Sequence, residues 1–160
     1  MSNAAMQDAE PQAPLDILSH ALKTEMMAVN EIIINRMQSD VPMIPQLAAY
    51  LIAAGGKRIR PLLTLACASL CKDASDHPQK LAAAVEFIHT ATLLHDDVVD
   101  NSDQRRGKPS ANTIFGNQST VLVGDFLFAR AFELMVETGN IDALGSLSRA
   151  SAIITEGEVL

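Results

Sequence analysis

Apolar residues recur at three- and four-residue steps along most of this chain. Over 15–37 the positions Leu15, Leu18, Leu22, Met26, Val29, Ile33 and Met37 trace one face of a single amphipathic helix. The run Ile32-Ile33-Ile34 widens that stripe and predicts burial on more than one side. A shorter helix over 44–54 is stopped by Gly55-Gly56, and Pro61 stands where a first helical turn tolerates it, ahead of a hydrophobic helix over 62–70. After a polar connection over 72–78, a long and nearly uncharged helix is predicted for 79–99. Glu86 and His89 interrupt its apolar character, on a stripe that continues to Asp96. Gly107, Pro109 and Gly116 mark 101–117 as a loop of functional length. Helices follow over 119–137 and 141–160, separated by the turn Thr138-Gly139-Asn140, with Gly157 expected to break the second.

No strand alternation of useful length and no internal repeat occurs, so the expected fold is all-α with about six helices. Residues 1–14 read as a disordered lead-in, and Met1-Ser2-Asn3-Ala4-Ala5-Met6 resembles a cloning remnant before a native Met. The folded unit is then 15–160. Its last residues, Thr155-Glu156-Gly157-Glu158-Val159-Leu160, stop in mid-pattern without a cap, which implies part of a longer protein.

Composition narrows this picture. With 160 residues and 48% hydrophobic content the chain can bury one core, but aromatic residues make up only 4% and Trp is absent. Ala, Leu, Ile, Val and seven Met must fill that core, which suits helix-on-helix packing. A net charge of −7 argues against a nucleic-acid partner, whose phosphates need a basic footprint. No basic leader precedes an apolar run, and 18 apolar residues never follow one another, so a cytoplasmic protein without a membrane span is expected. Cys67 and Cys71, four apart on an apolar segment with no further ligand, predict buried free thiols in a reducing compartment.

Chemistry concentrates in Leu93-Leu94-His95-Asp96-Asp97-Val98-Val99-Asp100. Helical spacing lets Asp96, Asp97 and Asp100 converge on one side, where their mutual repulsion and the negative helix end favour a hard divalent cation. A solvated acidic turn is the bland alternative. Gly55-Gly56-Lys57-Arg58-Ile59-Arg60-Pro61 offers glycines for close backbone approach and cations that can clamp an anion. There Lys57 and Arg60 share a face, while Arg58 points elsewhere toward a structural ion pair; a basic solvated loop is the competing reading. Arg105 and Arg106 follow the acidic cluster at once and can serve two different anions or make salt bridges to Asp100 or Asp103. His89 lies two turns before Asp96 on the same stripe.

Gly55 to Pro61, Phe87 to Asp100 and Arg105-Arg106-Gly107-Lys108-Pro109 together resemble the trans-isoprenyl diphosphate synthases, the polyprenyl synthetases. Ala111-Asn112 and Val123-Gly124-Asp125-Phe126-Leu127 bring the resemblance nearest to long-chain, octaprenyl-type members, across residues 15–160. The resemblance implies an isoprenoid synthase-type helical bundle, here incomplete. It also implies catalytic roles for Asp96, Asp97 and Asp100, with Asp96 and Asp100 holding Mg2+. Arg105 would bind the allylic diphosphate, and Lys57, Arg60, His89 and Arg106 isopentenyl diphosphate. Ala91, five before Asp96, would leave a product tunnel open for long chains destined for quinone side chains. A homodimer is implied as well.

Members of that family carry a second aspartate-rich motif, whereas only the isolated Asp125 and Asp142 follow Asp103 here. The chain alone is therefore expected to be inactive or nearly so, with apolar faces left uncovered. The competing expectations are a non-catalytic subunit of a heteromeric prenyl synthase and a terpene cyclase. The cyclase would not need Lys57, Arg60 and His89 for a second diphosphate.

Overall fold

The computed structural model describes residues 13–72 and 75–160. Most of the expected lead-in, and part of the connection after Lys72, lie outside the described residues. Eight helices and one small hairpin are found there: α1 (Pro14–Ala21), α2 (Lys23–Arg36), α3 (Met43–Ala54), α4 (Ile59–Leu70), α5 (His77–Val99), β1 (Gln104–Arg105), β2 (Lys108–Pro109), α6 (Ala111–Phe115), α7 (Asn117–Glu137) and α8 (Ile141–Val159). The all-α expectation holds, with two helices more than expected and several boundaries moved.

The first apolar stripe is divided between two helices. Leu22 leaves helical geometry (φ −107°, ψ 22°) and turns into the core at 7% exposure, so one residue both ends α1 and anchors the join. Below it Val29, Ile33 and Met37 keep their helical spacing and are buried, as the pattern predicts. Pro14, expected in the lead-in, instead opens α1, because a proline loses nothing at a first turn. Gly157 does not break α8, since a helical glycine costs only about 1 kcal/mol relative to alanine. Cys67 and Cys71 are both free but exposed, contrary to expectation. The core face of α4 is carried by Leu62 and Leu65, which leaves the thiols on the opposite side.

α5 is the central helix, packed against α2, α4 and α7. Small side chains are prominent among the buried residues of these helices: Ala83, Ala84 and Ala91 of α5 and Ala131 of α7 are all fully buried. Small residues let two helix axes approach closely, and Phe87, Leu94, Leu127 and Leu134 fill the space that remains. Arg36 and Glu137, 2.6 Å apart, tie α2 to α7 at the rim. By contrast α8 buries no residue completely, and Ile153 (62%) and Val159 (83%) face outward. The expected uncovered apolar faces are thus found on α8 and also on α7, at Leu122 and Val136.

Ala91, expected beside an open tunnel, is fully enclosed in this core. Ala91→Phe should therefore destabilise the chain by about 1–3 kcal/mol through overpacking. Urea unfolding followed by circular dichroism measures it, and unchanged stability would show that space exists beside Ala91.

Candidate active site

The acidic cluster occupies the last turn of α5, but its three carboxylates part company. Asp97 is 3% exposed and accepts hydrogen bonds from Arg105, whose Nε lies 2.9 Å and 3.1 Å from the two carboxylate oxygens and whose Nη2 lies 2.8 Å from Oδ1. A buried carboxylate demands such a partner, and the fork of a guanidinium meets it at two points. The expected convergence of all three on one cation is therefore corrected. Among the described residues no three His, Cys, Asp or Glu side chains gather as a metal-holding group. Arg105 pairs with Asp97 and not with Asp100 or Asp103.

The carboxylates of Asp96 and Asp100 remain without a hydrogen bond or ion pair among the described residues. Burial holds the Asp96 carboxyl above the usual carboxylate range; Arg105 opposes this, and the charges of Asp100 and Asp97 reinforce it. Two unpaired, mutually repelling carboxylates one turn apart are the donor set of a hard divalent cation, which would remove the repulsion. These residues fit such an ion.

The hairpin that delivers Arg105 is built from the shortest of strands, with Arg105 opposite Lys108. Two-residue strands carry no alternation to be read, so the sequence marks only a loop here. Its turn residues Arg106 (φ 54°) and Gly107 (φ 75°) both have left-handed backbones, as a two-residue hairpin turn of primed type needs. Glycine accepts that geometry freely, whereas an arginine does so at some conformational expense. The turn separates the two guanidinium groups. Arg105 reaches down to Asp97, while Arg106 reaches across to donate to the carbonyl of Gly55.

Two further contacts, which no sequence feature announces, strap the hairpin to the end of α3. Lys108 Nζ donates to the Ala53 carbonyl at 2.8 Å, and the Tyr50 hydroxyl donates to the Pro109 carbonyl. Helix C-terminal carbonyls attract cations, so the hairpin's basic side chains satisfy the end of α3. Gly56 lies against the Arg106 guanidinium. A Cβ there would lie 2.6 Å from Arg106 Nη1.

Lys57, Arg60, His89 and Arg106 consequently line one open cleft, although they come from three separate segments. Arg58 has a left-handed backbone (φ 49°) at the start of α4 and turns to Glu86, 3.5 Å away, as the expected structural ion pair. Arg60 Nη1 lies 3.2 Å from His89 Nε2. Arginine has no acceptor, so that imidazole nitrogen must accept, and His89 is neutral in this arrangement. Beside the cleft runs an apolar groove walled by Ile88, Thr92 and Leu93 of α5 and by Leu147 and Ile154 of α8. Arg60, His89 and Asp96 stand along the same groove. Thr92 borders it, whereas Ala91 is enclosed in the core and does not line it.

The family description polyprenyl synthetase matches residues 41–160. The chain belongs to the polyprenyl synthetase family. Among its relatives, the octaprenyl diphosphate synthase of Escherichia coli (strain K12) is 47% identical over 146 residues, which cover 91% of this chain and 45% of that protein. The solved polyprenyl synthase of Caulobacter crescentus CB15, complexed with calcium and isoprenyl diphosphate, is 61% identical with a TM-score of 0.89, covering 94% of this chain and 46% of that one. A decaprenyl diphosphate synthase from Rhodobacter capsulatus is 58% identical at the same TM-score, over 91% of this chain and 45% of that one. The chain thus spans about half the length of the polyprenyl synthetases it matches. Among the described residues no helix is long and apolar enough to cross a membrane.

Burial, then Arg60, Arg106 and Arg105, push the His89 imidazole below its ordinary value of 6.5. A group depressed on folding contributes stability that is present above its unfolded pKa and is lost as pH falls through the folded value. His89 should therefore titrate below 6.5 by NMR, and His89→Gln should remove a component of acid destabilisation that begins near the unfolded value. A His89 midpoint at or above the ordinary value would contradict the arrangement.

Proposed function

We propose that this chain supplies the first metal site and the isopentenyl diphosphate site of a long-chain trans-polyprenyl diphosphate synthase. The observation that carries the reading is the gathering of Lys57, Arg60, His89 and Arg106 around one cleft, with the unpaired carboxylate of Asp96, one helical turn before Asp100, along the groove that Arg60 and His89 also line. Four groups able to bind a polyanion, set beside two that need a cation, suit two diphosphates and a divalent ion. Asp96 and Asp100 would hold Mg2+, which when bound neutralises charge on a departing diphosphate.

In this reading Lys57, Arg60 and Arg106 bind and orient isopentenyl diphosphate, with neutral His89 adding a hydrogen bond from its other ring nitrogen. Arg105, held in place by Asp97, turns its remaining guanidinium edge to the allylic diphosphate. The allylic carbon–oxygen bond breaks, the isopentenyl double bond attacks the allylic cation, and a proton is lost from the adduct. Preorganised charge matters most where negative charge grows, on the leaving diphosphate. The apolar groove along Ile88 and Thr92 receives the growing chain, and Ala91 keeps its rear wall thin. The product would serve as a quinone side chain, made in the cytoplasm by a homodimer. A non-catalytic subunit is the weaker reading, because such a subunit has no use for two unpaired carboxylates beside four anion ligands.

The test replaces the matching part of the Escherichia coli octaprenyl diphosphate synthase with these 160 residues and follows transfer of labelled isopentenyl diphosphate to an allylic primer. The chimera should make a long-chain product, and Asp96→Asn should slow it by about 100-fold or more, the scale of losing one charge-stabilising group. Ala91→Phe and Thr92→Phe should both shorten the product. A soluble, folded chimera that transfers nothing would defeat the reading, and the separate 160-residue chain is expected to show little or no turnover.

A further inference from the structure

His95 precedes the metal-site carboxylates directly, yet none of the roles above uses it. Its Nε2 lies 3.2 Å from the Val121 carbonyl oxygen and 3.4 Å from Asp125 Oδ1, both on α7. Two acceptors at one nitrogen require the proton there, so the imidazole donates from Nε2. Its ring stacks on Phe128, with centroids 6.4 Å apart and planes 13° from parallel. The space it occupies exists because residue 124 is glycine. A Cβ at Gly124 would collide with His95 Nε2 and lie 2.7 Å from its Cδ2. Gly124 has no left-handed backbone, and a side chain there would have to displace the imidazole.

Helix geometry gives this contact its meaning. Successive residues turn by about 100°, so His95 and Asp97 project about 200° apart, on opposite sides of the last turn of α5. Asp97 is gripped by Arg105, and its backbone carbonyl accepts from the Ser102 amide and from Asn112 Nδ2. On the opposite side, His95 ties the turn to α7 through Val121, Asp125 and Phe128. Asp96 and Asp100 project between these two anchors. A helix end is where backbone hydrogen bonds run out and fraying begins, and two carboxylates that repel one another would widen it.

We propose that His95, seated in the socket made by Gly124, Val121, Asp125 and Phe128, is a positioning residue. It fixes the α5 terminus against α7 so that Asp96 and Asp100 are preorganised for a divalent cation. This rests on the metal reading above. His95 touches no substrate; it acts through the backbone of the turn that bears the ligands.

Mn2+ binding to the 160-residue chain, read from loss of the free-ion electron paramagnetic resonance signal, tests the proposal without any turnover. Asp96→Asn should abolish binding. His95→Ala should weaken it by about tenfold or more, in line with loss of a group that supports metal ligands. His95→Gln, which keeps a donor at the Nε2 position, should restore affinity to within about twofold to threefold of the unchanged chain, well inside that tenfold loss. Gly124→Ala should reproduce the His95→Ala loss by displacing the ring. Circular dichroism confirms that each variant is folded, and should one fail to fold, the His95→Gln against His95→Ala comparison still decides. Equal Mn2+ affinity in folded His95→Ala and the unchanged chain, with Asp96→Asn still defective, overturns the positioning role and leaves the metal reading intact. Absence of Mn2+ binding by the unchanged chain overturns both.

Discussion

Asp97 is a carboxylate with almost no access to water, and most of the site follows from how that problem is met. Leaving it unpaired would cost several kcal/mol, so Arg105 must reach it, and the hairpin must stand where Arg105 can do so. Once Arg105 points inward, the primed turn sends Arg106 the other way, to the carbonyl of Gly55. That contact, with Lys108 on Ala53 and Tyr50 on Pro109, joins the hairpin to the end of α3. The loop carrying Lys57 is thereby held opposite His89. The Asp97–Arg105 ion pair thus links the last turn of α5 to the cleft lined by Lys57, Arg60 and His89 through a chain of direct contacts.

The close pairing of α5 with α7 is the second constraint. Alanines at 83, 84 and 91 of α5 and 131 of α7 are fully buried, and Gly124 of α7 gives the same economy of volume beside the last turns of α5. At that end the space does not hold an apolar side chain but the His95 ring. Packing and chemistry are therefore continuous along α5: the residues that allow close approach in the core also decide where the carboxylates stand. α8 contrasts with this, since it has no fully buried residue and rests on the groove through Leu147 and Ile154.

Much of this was legible in the chain. The apolar period located the main helices, because burial of one stripe is a local, repeating demand. Gly55 ended α3 with a positive φ, as its position implied. The charged groups were also legible, since three carboxylates in five residues and two basic clusters stand in the sequence whatever the fold. Misreadings arose where the deciding force came from elsewhere in the chain. Leu22 broke the first helix because the core drew it inward. Gly157 stayed helical because its backbone bonds were worth more than its propensity. Cys67 and Cys71 lay outside because Leu62 and Leu65 had claimed the buried face of α4.

The sequence by itself determined where the main helices run, which charges must be dealt with, and the family to which the motifs point, since all of these depend on spacing along one chain. Tertiary structure alone decided that Asp97 leaves the other two carboxylates for Arg105, that Arg106 and Lys57 share a cleft with His89, and that Ala91 is enclosed in the core while Thr92 borders the groove. It also decided that Gly124 makes room for His95. Each of these outcomes turns on the direction of a side chain relative to a partner many residues away. Direction at that range is set by packing, which no local pattern encodes.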